Sequence, residues 1–214
     1  MSRISTMAHY QMVQVNFYEP EPAIIEQACQ FLNQGGLVVA PTETRYGLLA
    51  RIDLPEAVSR LFEVKGRRID KPSAIFVSEI SKLKELADFP PKAQILADQF
   101  LPGPLTLVLK SKRDFGRFFT LNNRTGFRIS SSPLIRALVA KTGPLSATSA
   151  NLSGQKEPES ISEICGLFGD QIDLYIDGGR LNNPASTVVQ VINGQITILR
   201  EGAISSNDIL KSVE

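Results

Sequence analysis

Leu37-Val38-Val39-Ala40, followed by Pro41-Thr42-Glu43-Thr44-Arg45-Tyr46-Gly47, sets an apolar run directly against a polar, turn-forming one. The first part reads as a short, wholly apolar strand and the second as a loop leaving its end. Upstream, residues 23–32 read as a helix stopped by Gly35 and Gly36. Downstream, Pro55 opens a helix through Val64, and the polar loop 65–72 follows. Residues 73–77 are the next expected strand. Helix and strand alternate, which is the pattern of an α/β domain.

The alternation continues to the C-terminal end. Helices are expected at about 81–86, 91–100, 133–141, 161–168 and 205–213, and strands at 106–109, 126–129, 145–147, 186–191 and 196–199. Hairpin-like and helical links together imply a mixed sheet, not a strictly parallel one. The chain shows no internal repeat, low-complexity block or long linker. Residues 1–14 read as an N-terminal tail and 15–210 as a single folded domain.

Composition narrows the chemistry. At 214 residues about 70% of the unfolded chain's surface can be buried, enough for a core without staples. The net charge of +1 gives no global argument for nucleic acid or a membrane surface, so any basic site must be local. Residues 1–14 lack a long apolar run, and no stretch approaches the roughly 20 apolar residues of a spanning helix. A soluble cytoplasmic protein is the expectation. Cys29 and Cys165 sit in apolar, helix-like runs, where buried thiols are expected. His9 is the single histidine, which excludes Ser-His-Asp and Cys-His catalysis and His-rich metal sites.

Several expected strands end in loops rich in small polar residues, and strand ends are where α/β folds place ligands. Phosphate-binding fingerprints of the P-loop or dinucleotide type are absent. Phosphate would then have to be gathered by cations and backbone N–H groups from separate loops. Lys65, Arg67, Arg68 and Lys71 supply four cations, although such a cluster also reads as a solvated loop. The run 145–154 carries four hydroxyls and the amide of Asn151, suited to phosphate oxygens or, equally, to a cap or Asx-turn.

Seven short motifs occur in one order between residues 35 and 204. Ala40-Pro41-Thr42-Glu43-Thr44-Arg45-Tyr46-Gly47-Leu48 resembles the P-T-[DE]-T-x-Y-G-L signature of the YrdC/YciO-like family of threonylcarbamoyl-AMP synthases. Lys65-Gly66-Arg67 is similar to its K-x-R, Pro102-Gly103-Pro104-Leu105-Thr106 to its P-G-P-x-T, and Gly126-Phe127-Arg128 to its G-x-R. Ser149-Ala150-Asn151-Leu152-Ser153-Gly154 resembles S-A-N-x-S-G. Ser186-Thr187-Val188-Val189 and Leu199-Arg200-Glu201-Gly202-Ala203-Ile204 resemble the closing S-T-V-[VI] and [IL]-R-x-G-x-[IV].

The resemblance implies a twisted mixed sheet flanked by helices around a concave, positively lined cleft. It also implies a reaction joining L-threonine, bicarbonate and ATP into threonylcarbamoyl-adenylate, with release of pyrophosphate. Lys65, Arg67, Ser149 and Asn151 match the family's catalytic tetrad. Arg67, Lys71, Ser149, Asn151 and Arg200 fall at its ATP site, and Thr42, Arg128 and Ser186 at its threonine site. A Mg²⁺ carried by ATP is expected, with no organic cofactor and no dedicated metal cage. The product would pass to a separate threonylcarbamoyl transferase complex acting on tRNA. The alternative within the family is an RNA-binding or ribosome-maturation factor, engaging tRNA or double-stranded RNA, with little synthase activity. Arg45, Phe76, Ser130 and Glu157 depart from the family pattern. A K-x-R pair in a polar loop predicts that Lys65→Ala lowers activity and leaves the melting temperature nearly unchanged.

Overall fold

In the computed structural model, which describes residues 10–67 and 71–214, strands and helices build one mixed sheet. The strands are β1 (Gln11–Gln14), β2 (Val38–Pro41), β3 (Tyr46–Leu49), β4 (Ala74–Phe76), β5 (Leu105–Lys110) and β6 (Thr120–Leu121). They continue as β7 (Arg124–Arg128), β8 (Leu145–Ser149), β9 (Leu174–Asp177), β10 (Thr187–Ile192) and β11 (Gln195–Arg200). The helices are α1 (Pro22–Asn33), α2 (Pro55–Val64), α3 (Ile80–Leu86), α4 (Pro91–Phe100), α5 (Pro133–Thr142), α6 (Ile161–Phe168) and α7 (Ser206–Lys211). The strand order is β1-β9-β2-β3-β8-β4-β7-β5-β10-β11, with β6 paired to β7. Parallel pairs such as β2 with β9 stand beside antiparallel ones such as β2 with β3, as the mix of links implied.

The apolar run in β2 has a direct cause. Val39 joins a core built with Val58, Leu61 and Phe62 of α2, while Val38 and Ala40 join a second core with Leu32 of α1 and Leu138 of α5. Both faces of this half of the sheet are covered, so successive residues all have to be apolar. The other half differs. In β7, Phe127 faces the first core, whereas Arg124, Gly126 and Arg128 point to the opposite face, which lines a cleft. The same alternation holds in β5, where Leu105, Leu107 and Leu109 go to the core and Thr106 and Val108 to the cleft.

β8 joins the halves. Its first residues pair with β4, and Thr148 and Ser149 pair with β3. Several features differ from the sequence expectation, and neither β6 nor β9 is among the expected strands. Gln11–Gln14, placed in the tail, forms β1 and pairs in parallel with β9. The expected loop 41–47 is a tight hairpin turn, because Tyr46 and Gly47 already belong to β3 opposite Pro41 and Ala40. Cys29 is buried but Cys165 is only half-buried. His9 and Arg68 lie outside the described residues.

Candidate active site

The open sheet face is the floor of a cavity of about 420 Å³. Its walls come from the β2–β3 turn, the end of β8, the segment around Glu157, and β11. Of the expected site residues, Thr42, Arg67, Arg128, Ser149, Ser186 and Arg200 all line it. Sheet topology closes the sequence separation: residues from eight strands meet on one surface.

The K-x-R spacing follows from how α2 ends. Lys65 caps the C-terminal end of α2 just after Val64, and Gly66 takes φ +57°, a left-handed conformation that glycine adopts without strain. The Gly66 N–H donates to the Glu63 carbonyl at 2.9 Å and the Arg67 N–H to the Phe62 carbonyl at 3.0 Å. These two bonds form a Schellman cap, which stops the helix and sends the two cations in different directions.

Lys65 turns inward and is 1% exposed. Its Nζ donates to the carbonyl oxygen of Ser149, to that of Asn151 at 2.8 Å, and toward Asn151 Oδ1 at 3.4 Å. The Ser153 N–H returns a bond to the Lys65 carbonyl at 2.9 Å. Lys65 therefore pins the segment after β8 and lies behind the cleft wall, not in a solvated loop. This overturns the expectation that its removal would leave the fold untouched. Burial, and after it the Arg67 charge, pull its pKa down to about 7 against an upward pull from Glu157.

Arg67 turns toward the cleft. Its Nε donates to the Lys71 carbonyl at 2.7 Å, Nη1 to Thr148 Oγ1 at 3.1 Å and Nη2 to the Pro72 carbonyl at 2.8 Å. Lys71 thus contributes a backbone oxygen, while its side chain is exposed and is not among the lining residues. Ser149 Oγ donates to Asn151 Oδ1 at 2.7 Å, and Asn151 Nδ2 to the Gln155 carbonyl at 2.7 Å. The structure accordingly joins Lys65, Ser149 and Asn151 by hydrogen bonds, with Lys65 and Asn151 outside the cleft lining, and sets Arg67 beside them through its bond to Thr148. Burial lowers the pKa of Arg67, with Arg200 adding to the shift, so this corner holds more positive charge than it can comfortably keep. An anion placed there would relieve it.

The opposite side of the cleft is balanced instead. Arg128 Nη2 donates to Glu43 Oε1 at 2.9 Å and to Thr44 Oγ1 at 3.0 Å. Glu43 also accepts from Ser130 Oγ and from the Ser131 N–H at 3.2 Å. Burial pushes the Glu43 carboxyl up, but the Arg128 charge and the bonds from Ser130 and Arg128 outweigh it, and its pKa ends below the ordinary value. Thr42 Oγ1 closes its own turn, accepting from the N–H groups of Thr44 at 3.1 Å and Arg45 at 3.2 Å. Ser186 and Arg200, matched to different ligands by the sequence, are bonded to each other: Arg200 Nη2 donates to Ser186 Oγ at 3.0 Å. Ser186 Oγ lies 3.1 Å from Thr106 Oγ1.

Sequence reasoning missed Arg124 and Gln190, which line the cleft and bond at 2.9 Å through Arg124 Nη1 and Gln190 Oε1. The period-2 rule could have found Arg124, since it shares a strand face with Gly126 and Arg128.

A family model described as telomere recombination, Sua5_yciO_yrdC, matches residues 30–202. The chain belongs to the Sua5/YciO/YrdC family. It is 36% identical over 193 residues to the threonylcarbamoyl-AMP synthase of Pyrococcus abyssi, covering 88% of this chain and 57% of that protein. Against the Bacillus subtilis threonylcarbamoyl-AMP synthase it is 35% identical over 190 residues, covering 86% of this chain and 55% of that protein. The chain therefore spans little more than half the length of these curated relatives. The crystal structure of P. abyssi Sua5 complexed with L-threonine superposes with a TM-score of 0.88 at 33% identity, over 94% of this chain and 60% of that one. The expected family and the mixed α/β fold are both borne out. Among the described residues no helix is long and apolar enough to cross a membrane.

Proposed function

We propose that this chain is a nucleotidyltransferase that makes L-threonylcarbamoyl-adenylate from L-threonine, bicarbonate and ATP. The observation that carries the reading is the connected group at the end of β8. The Schellman turn of α2 delivers Arg67 to the cleft and ties Lys65 to Ser149 and Asn151. The likeness to threonylcarbamoyl-AMP synthases, and to a Sua5 structure holding L-threonine, supports the same assignment.

The chemistry suits such a site. The amine of threonine and bicarbonate give a carbamate and water. A carbamate oxygen attacks the α-phosphorus of ATP, and the bond to the β-phosphate oxygen breaks to release pyrophosphate. Negative charge moves across the phosphate oxygens, and fixed donors and cations stabilise it without a histidine. Arg67, Ser149, Asn151 and Arg200 take the phosphate side, where burial already leaves Arg67 and Arg200 short of an anion. Lys65 holds the strand end in register and places its charge behind that wall. Arg128, with Thr42 and Ser186, takes the threonine side, its guanidinium directed at the carboxylate. The lining offers hydroxyls and one carboxylate, a donor set that fits a Mg²⁺ arriving on the triphosphate with its own oxygens. Such an ion would neutralise phosphate charge. The adenylate would pass to a separate transferase acting on tRNA.

Pyrophosphate release measured with each substrate omitted in turn tests the reading. Release should require ATP, threonine and bicarbonate together. Serine should serve less well, because a pocket receiving the methyl gains roughly 1 kcal/mol from it. Release without threonine would withdraw the threonine assignment. Retention of RNA with steep salt dependence, and no pyrophosphate under any combination, would favour a binding factor.

A further inference from the structure

The reaction as drawn gives no part to Arg45 or Glu157, yet both line the cleft. They come from distant stretches of the chain, and both depart from the family motifs. Here they meet: Arg45 Nε lies 3.2 Å from Glu157 Oε2, with side-chain exposures of 21% and 24%. Arg45 Nη1 donates to the Leu181 carbonyl at 3.1 Å, which fixes the guanidinium at the wall. The contact between the two charges is imperfect. Arg45 Nε is buried and makes no hydrogen bond among the described residues, so its N–H is close to Glu157 but not aimed at it.

The described residues lining the cleft include Arg45, Arg67, Arg124, Arg128 and Arg200, and a single carboxylate, that of Glu157. Glu157 stands near enough to the others to pull the pKa values of both Lys65 and Arg200 upward. It offsets part of the field of the five arginines around it. Toward an entering polyanion it is a like charge, and like charges within a few ångströms oppose binding. The partial exposure of Glu157 leaves its carboxylate room to turn to solvent, while Arg45 stays anchored to Leu181.

We propose that Arg45 is an additional triphosphate-binding cation, paired with Glu157 at the cleft wall and exchanged from it to the incoming phosphates. The proposal rests on the ATP reading above and adds a residue outside the tetrad. It makes Glu157 an internal competitor, tuning how tightly nucleotide is held and how readily pyrophosphate leaves.

Isothermal titration of Mg-ATP, inorganic tripolyphosphate and threonine into four proteins tests it: wild type, Glu157→Gln, Arg45→Gln and the double variant. Glu157→Gln should tighten ATP and tripolyphosphate by about fivefold, and Arg45→Gln should weaken both by about tenfold, the scale of one charge-assisted hydrogen bond. With Arg45 removed, the gain from Glu157→Gln should fall below about twofold, because the two act on each other. Threonine affinity should be the same in all four. If wild type binds ATP but Arg45→Gln binds it equally well, the inference is wrong and the synthase reading stands. An equal gain from Glu157→Gln with or without Arg45 also overturns it. If wild type takes up neither ATP nor tripolyphosphate, both readings fall. Should Arg45→Gln melt early, Arg45→Met takes its place in the cycle: weaker binding with loss of the Glu157→Gln gain upholds the inference, and unchanged binding or an undiminished gain contradicts it.

Discussion

The two halves of the sheet obey different rules. Around β2 and β9, helices or other chain cover both faces, and Val38, Val39 and Ala40 are all fully buried. Around β4, β7, β5 and β10 one face is covered and the other is the cleft floor, so core and cleft residues alternate along each strand. Stability and ligand chemistry are thereby assigned to opposite sides of the same backbone. A functional surface is formed here by omitting one helical layer, and the sheet stays rigid because its other face remains packed.

Neighbours on β7 give the sharpest way to break this comparison. Phe127 is 0% exposed, and Phe127→Ala should lower unfolding free energy by about 3–5 kcal/mol in urea titration. Arg124→Ala, three residues earlier on the open face, should change it by less than about 0.5 kcal/mol. Comparable losses would mean that the cleft face also carries the fold.

Lys65 crosses the division. Lys65→Ala should cut turnover by about 10²-fold, as when one electrostatic stabiliser is lost. It should also lower stability by about 2 kcal/mol, since the carbonyls of Ser149 and Asn151 lose their buried donor. Thermal melting beside steady-state turnover reads both, and a variant with unaltered melting would contradict the pinning role.

Arg128→Lys tests the balanced side. The substitution keeps charge but loses the planar fork. Threonine should bind about tenfold more weakly with ATP affinity little changed in isothermal titration. Equal losses for both ligands would show that Arg128 supports the whole site.

The smallest expected effect is a pH dependence. The folded-state pKa of Glu43 is lowered, so its contribution to stability is complete above the ordinary carboxylate value. That contribution is lost as pH falls through the lowered value. Glu43→Gln should remove this part of the acid-side decline in melting temperature. An identical decline in the variant would place the titration elsewhere.

Much of this was legible from residues alone. The run Leu37-Val38-Val39-Ala40 marks the doubly covered half, and Pro91–Phe100 and Ile161–Phe168 form helices over the expected residues. Short strands that lack a pattern were not legible. Tyr46–Leu49 follows a polar stretch and begins before the turn looks finished, and Gln11–Gln14 is polar at both ends. Burial of Lys65 was also hidden, because a lysine after a helix reads as solvated. Its acceptors lie on a segment more than eighty residues away. A long separation likewise concealed the meeting of Arg45 with Glu157, whereas Ser186 and Arg200 are only 14 residues apart and meet through the antiparallel pairing of β10 with β11.

The most direct measurement follows ¹³C from labelled bicarbonate into product by mass spectrometry, with ATP and threonine present. The account predicts a labelled carbon in a species containing both threonine and AMP, formed in step with pyrophosphate and lost in Lys65→Ala. Pyrophosphate released without labelled adenylate, or ADP and phosphate in its place, would contradict it.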